Sequence, residues 1–557
     1  MGLLYEKFVN EVFDKNGLLT KLEPRLTEDF NFAYDVVDVL GTEKPGKTAM
    51  MWCNDKGQER RFTFADMKLL SDKTANVLRD AGIKKGDAVM LVLKRHWQFW
   101  SAMMALCKIG ALVIPATHLL TEHDYVYRFN AASVKAVIAT SDHDTAESID
   151  RAEKEAPSLK LKFIVNGKRP GWNNFDSLVD AASDVFVKPT GDAMTKNGDK
   201  MLMYFTSGTS GLPKMVWHDF TYPIGHIITA RYWHNVVPDG LHFTVADTGW
   251  GKAVWGKLYG QWLCEAGVFT YDFDKFSGHD VLHMIEKYRI TTFCAPPTIY
   301  RFFIQEDLSK FDLSSLTYAT TAGEALNPEV YNVFYRATGL KLMEGFGQTE
   351  TTLSVCTLVG MQPKPGSMGK PSPGYTVRIF DETGKEAPAG VAGEIVIGTE
   401  KGKPAGMFGG YYRDKARTDS VWHDNWYHTG DVAWCDEDGY FWYVGRTDDL
   451  IKSSGYRIGP FEIESVLMEH PAVAECAITG VPDPVRGQVV KATIILAKGF
   501  TGSDALVKEL QVYVKKNTAP YKYPRIIEFV DELPKTISGK IRRVELRGEK
   551  NRSTTPD

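Results

Sequence analysis

Short apolar strands alternating with helical runs constrain this chain more than any other feature. Thr63 followed by Asp66 has the spacing of a capping box, and the apolar-periodic run behind it stops at Gly82. Ala88 to Leu93 reads as a buried strand, Trp97 to Cys107 as a helical stretch, and Ala111 to Pro115 as the next strand. Another helical run after Thr121 precedes a strand from Val134 to Ala139. Such alternation predicts the α/β class, with a large N-terminal domain of parallel-rich sheets covered by helices on both faces.

The texture then changes twice. Between Gly369 and Gly398, short strands (Tyr375 to Phe380, Gly393 to Ile397) flank the turn Asp381-Glu-Thr-Gly384, which reads as a small antiparallel β subdomain. Beyond Gly445 the order is helix (Pro460 to Glu469), strand (Val473 to Val481), strand (Val489 to Leu496), helix (Ser503 to Asn517), strand (Arg525 to Val530). That is a compact α+β unit, joined through the polar Arg446-Thr-Asp-Asp449. The expected domains are therefore 1–447 and 448–557, within the roughly two to four that 557 residues allow. No internal repeat is visible, and Asn551 to Asp557 reads as disordered.

A net charge of −4 gives no footing for nucleic acid. The seven cysteines are scattered, odd in number and without CxxC spacing, which argues against a disulfide framework or a zinc site and for a reducing compartment. Glu6, Lys7 and Glu11 make Met1 to Phe13 unlike a signal or transit peptide, and Glu6 replaces the Ser/Thr of a myristoylation signal. The apolar stretch Phe99 to Leu120 is interrupted by Lys108, Gly110 and Pro115, so it divides into helix, turn and strand rather than spanning a membrane. These readings lead to the expectation of a soluble, cytoplasmic protein, its oligomeric state open.

The strongest local signal is Tyr204-Phe-Thr-Ser-Gly-Thr-Ser-Gly-Leu-Pro-Lys214. An apolar lead-in, Met201 to Phe205, enters a loop of small residues ending in lysine. Glycines let backbone N–H groups approach an anion, four hydroxyls add donors, and Lys214 adds charge. The spacing of Gly208, Gly211 and Lys214 does not fit the Walker P-loop. By composition alone the string could equally be a solvent loop.

The full string resembles the phosphate-binding signature of the adenylate-forming enzymes: acyl-CoA synthetases, luciferases and peptide-synthetase adenylation domains. The other motifs of that superfamily follow in order: Thr320-Thr-Ala-Gly-Glu-Ala-Leu326, Glu344-Gly-Phe-Gly-Gln-Thr-Glu350, Tyr427-His-Thr-Gly-Asp431, Gly445 to Arg457, and Pro534-Lys-Thr-Ile-Ser-Gly-Lys540. The resemblance implies an AMP-forming acyl-CoA synthetase using ATP, Mg²⁺ and coenzyme A on a small carboxylic acid. Thr206, Ser207, Gly208, Thr209, Ser210, Gly211, Leu212, Pro213 and Lys214 would hold the β- and γ-phosphates. Gly323 and Glu324, with Ala322, would line the adenine and acyl pocket. Glu344, Gly345, Phe346, Gly347, Gln348 and Thr349 form the next nucleotide motif, with Phe346 stacked on adenine. Thr349 and Glu350 are catalytic candidates, Glu350 as the magnesium ligand.

Asp431 offers two acceptors to a ribose diol, at about 1.5–3 kcal/mol for each charged hydrogen bond. Arg446 and Arg457 would contact ribose and phosphate. Lys540 is implied to bridge carboxylate and α-phosphate, stabilising charge on the pentacoordinate phosphorus. For the second half-reaction the family rotates its small C-terminal domain about a hinge, here Asp448. That exchanges the Lys540 face for the Ser454-Gly455-Tyr456 face, where glycine lets a pantetheine arm pass the backbone.

Arg486, Lys515 and Tyr523-Pro524-Arg525 resemble coenzyme A contacts of the medium-chain acyl-CoA synthetases, as do Val481 to Gly487 and Thr518 to Arg525 more broadly. That branch implies intermediate-length fatty acids or aromatic acids. Where acetyl-CoA synthetases carry a tryptophan that closes the acyl pocket, this chain has Gly347, so space is expected there, with Trp250 as a side wall. Loading of a carrier protein in trans, or idle adenylate binding, are the alternative functions.

Overall fold

The computed structural model describes residues 2–206, 212–454, 456–535 and 541–547. Helix starts follow local chemistry. The Thr63 hydroxyl accepts the Asp66 N–H at 3.2 Å, the Asp66 carboxylate accepts the Thr63 N–H at 2.8 Å, and the helix runs Phe64–Asp80. Thr121 and Asp124 repeat the device ahead of Glu122–Ala132. Each box satisfies donors that a helix start otherwise leaves orphaned. The helix Gln98–Ile109 stops at Gly110, whose φ of +82° is the left-handed conformation that glycine reaches without strain. The strand Leu112–Pro115 follows, so the apolar stretch divides as its sequence indicates. Among the described residues no helix is long and apolar enough to cross a membrane.

Two parallel-rich sheets form the large part of the molecule. One has seven strands, with Ala88–Val92 between Leu112–Pro115 and Ala136–Thr140, and with Lys200–Thr206 followed by antiparallel Lys214–Asp219 at one edge. The other has nine. Its parallel centre runs from Thr48–Asn54 through Gly267–Asp272, Leu241–Thr244, Thr292–Ala295 and Tyr318–Ala322 to Leu342–Gly347. The helix Gln98–Ile109 is buried along its whole length because it shares one core with Val89 and Val113 of the first sheet and Met50 and Val268 of the second. Helices covering parallel strands on both faces explain why the strands are apolar without alternation.

The ends of strands from both sheets meet in a buried charged junction. His96 Nδ1 lies 2.8 Å from Asp272 Oδ2 and its Nε2 lies 2.7 Å from Thr140 Oγ1 and 3.3 Å from Asp142. Burial opposes charge on His96, but Asp142 and Asp272 outweigh it and raise the imidazole to about 9. Lys94 adds a bond to Asp274 and Arg95 an ion pair to Asp247 at 3.3 Å. Buried charges persist only when paired in this way.

Thr376–Phe380, Gly393–Gly398, Trp426–Cys435 and Phe441–Arg446 form the antiparallel β unit, with Trp422–His423 at its edge. Residues 451 to 529 gather a separate core around Ile463, Leu467, Ile478, Ala492, Ile494 and Leu510. The expected helix–strand–strand–helix–strand order appears there as Pro460–Met468, Val473–Asp483, Gly487–Leu496, Asp504–Asn517 and Ile526–Phe529. Two three-residue strands ahead of it, Ile451–Ser453 and Tyr456–Ile458, are too short to leave a periodic signal.

Candidate active site

A cleft of about 3060 Å³ opens where the two sheets, the β unit and the C-terminal unit meet. The hairpin Lys200–Thr206 and Lys214–Asp219 delivers Thr206, Leu212, Pro213 and Lys214 to its wall. Ser207, Gly208, Thr209, Ser210 and Gly211 lie outside the described residues. The Lys214 ammonium sits 5.3 Å over the Tyr411 ring, and the Tyr411 hydroxyl donates to Glu350 Oε1 at 3.0 Å. Burial draws Lys214 below the usual lysine range, with Glu350 opposing it. Behind this cluster His218 Nε2 lies 2.8 Å from the Thr349 carbonyl oxygen. Burial lowers His218 to about 3, so a neutral imidazole fixes the turn that presents Thr349 and Glu350.

The floor is the strand Leu342–Gly347 and the residues after it. Gly345 is required by packing, since a Cβ would lie 2.6 Å from Leu353 and 2.8 Å from the Trp233 ring. Phe346 faces the cleft with Tyr443 6.3 Å away. Gln348 Nε2 donates to the Thr429 carbonyl at 2.9 Å and to Asp431 Oδ2 at 2.5 Å, while its Oε1 accepts the Tyr427 hydroxyl at 2.7 Å. Asp431 also accepts the Tyr443 hydroxyl at 3.1 Å and Arg446 Nη1 at 3.2 Å. Burial opposes the Arg446 charge, but Asp431 and Asp448 more than compensate and hold it protonated. Gly430, at φ +69°, leaves room for that guanidinium, which a Cβ would approach to 2.8 Å.

Glu344 lies deeper, its Oε1 accepting the Leu326 N–H at 3.2 Å and its Oε2 without a partner. Burial raises its carboxyl from 4.5 to about 8. The folded chain thus keeps a proton that the unfolded chain releases, and stability falls as pH rises between those values. Glu344→Gln, which retains the acceptor for Leu326, should match wild type in unfolding temperature near pH 4.5 and exceed it increasingly toward pH 8. A difference independent of pH across that range contradicts this.

Ala322, Gly323 and Glu324 follow the strand Tyr318–Ala322 into the cleft. The Ala322 carbonyl accepts Lys252 Nζ at 2.5 Å, Gly323 has φ +103°, and Glu324 accepts the Thr298 hydroxyl at 2.9 Å. Trp250 lines the wall, in a loop where Asp247 Oδ1 accepts the Gly249 N–H at 2.9 Å. At Gly347 the structure corrects the expectation of open space. A Cβ there would lie 2.3 Å from the Thr352 carbonyl oxygen and 2.5 Å from the Trp255 ring. An indole does close this side, but it comes from Trp255, and a tryptophan at 347 would displace backbone rather than simply fill a pocket.

The C-terminal unit covers one side of the cleft. Asn327 Nδ2 donates to the Ser465 carbonyl at 3.2 Å, and Lys535, Ile541, Arg542 and Arg543 line the cavity, as does Asp448. Lys540 lies outside the described residues. Other expected residues stand elsewhere, and none of them lines the cleft. Arg457 pairs with Glu382 at 2.7 Å, because its short strand turns toward the β unit, so it is not beside Asp431. The Ser454 N–H donates to the Arg486 carbonyl at 3.0 Å, and Tyr456 stacks on Tyr521 at 4.0 Å. Lys515 sits 3.9 Å over the Tyr523 ring, Arg525 donates to the Tyr523 hydroxyl at 2.6 Å, and the Pro524 carbonyl accepts Gln511 at 3.1 Å. Gly455 is outside the described residues.

Sequence reading missed Tyr411, Lys252 and Trp255. Lys252 and Trp255 had an available signal, since they belong with Trp250 to one string, Trp250-Gly-Lys-Ala-Val-Trp255. Tyr411 had none, because Gly-Gly-Tyr-Tyr reads as an ordinary packed turn. All seven cysteines are unpaired in this structure.

The fold and cleft are those of an adenylate-forming ligase. An anthranilate CoA ligase, AuaEII, solved in complex with anthranoyl-AMP, superposes with a TM-score of 0.84 at 28% identity, covering 94% of this chain and 98% of that one. A benzoate CoA ligase from Burkholderia xenovorans LB400 gives 0.81 at 27%, covering 93% and 100%. The AMP-binding enzyme family model matches residues 38–412, and that of the AMP-binding enzyme C-terminal domain matches 462–540. The mitochondrial acyl-coenzyme A synthetase ACSM3 of Mus musculus is 42% identical over 532 residues, 94% of this chain and 91% of that protein. The chain belongs to the AMP-binding enzyme family, and within it to the AMP-forming acyl-CoA synthetases, which are acid–thiol ligases. The cytoplasmic expectation is overturned, since that relative is named mitochondrial.

Proposed function

We propose that this acyl-CoA synthetase activates medium-chain fatty acids or aromatic acids in two steps that share the cleft. One observation carries the reading: the Lys214–Tyr411–Glu350 cluster, the Gln348–Asp431–Arg446 cluster and the residues flanking the Lys540 segment all face one cavity. In the first step a carboxylate oxygen attacks the ATP α-phosphorus, forming an acyl–phosphate bond while the bond to pyrophosphate breaks. Thr206 to Lys214 hold the β- and γ-phosphates, Asp431 and Arg446 hold ribose, and Phe346 flanks adenine. Lys540 stabilises the charge that develops on phosphorus. In the second step the coenzyme A sulfur attacks the acyl carbon and AMP leaves.

A buried carboxylate at the cleft wall beside a phosphate-binding hairpin suits magnesium, which favours one or two carboxylates plus phosphate oxygens. Glu350 would hold it, and the ion would neutralise phosphate charge. We take 1–447 and 448–557 as the two domains, supported by the separate core of residues 451 to 529. The coenzyme A candidates lie outside the cleft in this arrangement, so the second step requires the C-terminal domain to turn about Asp448.

The acyl side of the cleft has the apolar walls Trp250, Trp255 and Ala322. Each buried methylene contributes about 0.8 kcal/mol, so hexanoate and benzoate should exceed acetate in kcat/KM for coenzyme-A-dependent AMP release. A preference for acetate would contradict this substrate class. Trp255→Ala should deepen the pocket and raise the decanoate-to-hexanoate ratio of kcat/KM by about tenfold. An unchanged ratio in a folded variant would place the acyl chain elsewhere.

A further inference from the structure

The turn that presents Asp431 interrupts the pairing of the antiparallel β unit. Glu394 pairs with Val432 and Val396 with His428, so Thr429, Gly430 and Asp431 stand opposite Ile395 alone. A bulge of this kind bends its strand and re-aims a side chain, and bulges are over-represented beside active sites. On the other side of the strand Asp431 pairs with Arg446, and both line the cleft.

Amides in a bulge lose their ladder partners and must be satisfied in another way. The Thr429 hydroxyl donates to the Ile395 carbonyl at 2.7 Å and accepts the Asp431 N–H at 3.1 Å. The Gly430 N–H donates to Glu394 Oε1 at 2.8 Å, and Glu394 Oε2 lies 2.9 Å from His428 Nδ1. One carboxylate thus holds both the start of the bulge and its middle. The peptide plane that carries the Gly430 N–H also carries the Thr429 carbonyl. That carbonyl accepts Gln348 Nε2 and Arg446 Nη1, at 2.9 Å each, and the same two donors bond Asp431 Oδ2. Turning this one peptide would therefore loosen Gln348, Arg446 and Asp431 together.

We propose that Glu394 is a positioning residue for nucleotide binding, which aims Asp431 at the ribose hydroxyls by fixing the Thr429–Gly430 peptide. The proposal rests on the ribose role given above to Asp431. Glu394 acts through Gly430 and His428 rather than on the reacting atoms. Without its carboxylate the bulge can relax toward regular pairing. Strand side chains alternate, so a shift of one residue turns Asp431 to the other face.

The test measures kcat/KM of the full chain for ATP, 2′-deoxy-ATP and 3′-deoxy-ATP with hexanoate or benzoate, together with KM for the acid and thermal unfolding. A charged hydrogen bond to each hydroxyl should make wild type favour ATP over either deoxy form by about 10–10²-fold. Glu394→Ala should cut that preference to about threefold or less and raise KM for ATP about tenfold, with KM for the acid unchanged. Glu394→Gln keeps an oxygen for the Gly430 N–H and an amide that can face His428 Nδ1, so it should retain most of the preference. A glutamine variant as impaired as alanine would contradict positioning through that N–H. Glu394→Asp is one methylene too short to hold both partners, and its preference should fall about fivefold. It decides the matter if the alanine variant does not fold. An ATP preference kept at the wild-type level, whatever the overall loss of activity, overturns the proposal. If wild type has no preference, or Asp431→Ala keeps it, the ribose role of Asp431 itself fails. That outcome is distinct from a preference lost in Asp431→Ala and kept in Glu394→Ala, which overturns the role of Glu394 alone.

Discussion

Lys540→Ala is expected to slow acyl-adenylate formation by about 10²–10³-fold while leaving thioester formation from supplied acyl-adenylate close to wild type. The carboxylate and the α-phosphate are both anionic, so their approach is repulsive until a cation lies between them. Arg446 is committed to Asp431, at 3.2 Å, and the Lys214 ammonium lies against Tyr411 on the Glu350 side of the cleft. On the function proposed above, Lys540 supplies that charge; Lys535 and Ile541, the described residues on either side of its segment, both line the cleft. The thioester step has no pentacoordinate phosphorus and should not need it. Comparable losses in both half-reactions, at unchanged unfolding temperature, would contradict this division.

Asp448→Pro should have the opposite signature, with pyrophosphate exchange largely kept and thioester formation reduced by about 10²-fold or more. Proline fixes φ near −65° and restricts the preceding residue, so the backbone turn proposed at 448 is blocked. Neighbouring bonds that hold the present arrangement use other amides: Thr447 N–H to the Gly430 carbonyl at 2.9 Å and Asp449 N–H to the Arg446 carbonyl at 3.0 Å. Adenylation should therefore persist. The coenzyme A candidates Arg486, Lys515, Tyr523 and Arg525 lie outside the cleft, so a locked domain strands the second step. Exchange and thioester yield falling together would indicate unfolding or a static domain.

Much of the fold was legible because its signals are local. The box at Thr63 and Asp66 and the stop at Gly110 depend on residues a few positions apart. Sheet order was not legible, since Gly267–Asp272 pairs with Thr48–Asn54 from far earlier in the chain. Within the candidate site, the string Tyr204 to Lys214 and the segment around Gln348 stand out because runs of small and polar residues are rare beside apolar strands. Tyr411 does not stand out, because Gly-Gly-Tyr-Tyr reads as a packed turn, and Trp255 carries a signal only through its string with Trp250 and Lys252. Only three-dimensional packing shows that Trp255 occupies the side of the pocket that Gly347 leaves bare. Arg457 illustrates a further limit: motif position gives a residue type, whereas its partner, here Glu382, depends on how the C-terminal unit is oriented.

The central claim is that an acyl-adenylate forms before coenzyme A is used. Its most direct test is the enzyme with ATP, magnesium and hexanoate or benzoate labelled with ¹⁸O in the carboxylate. Without coenzyme A, acid-dependent exchange of labelled pyrophosphate into ATP should occur. With coenzyme A, one ¹⁸O atom should appear in the phosphate of AMP. Release of ADP, AMP free of label, or exchange that requires coenzyme A would contradict the account.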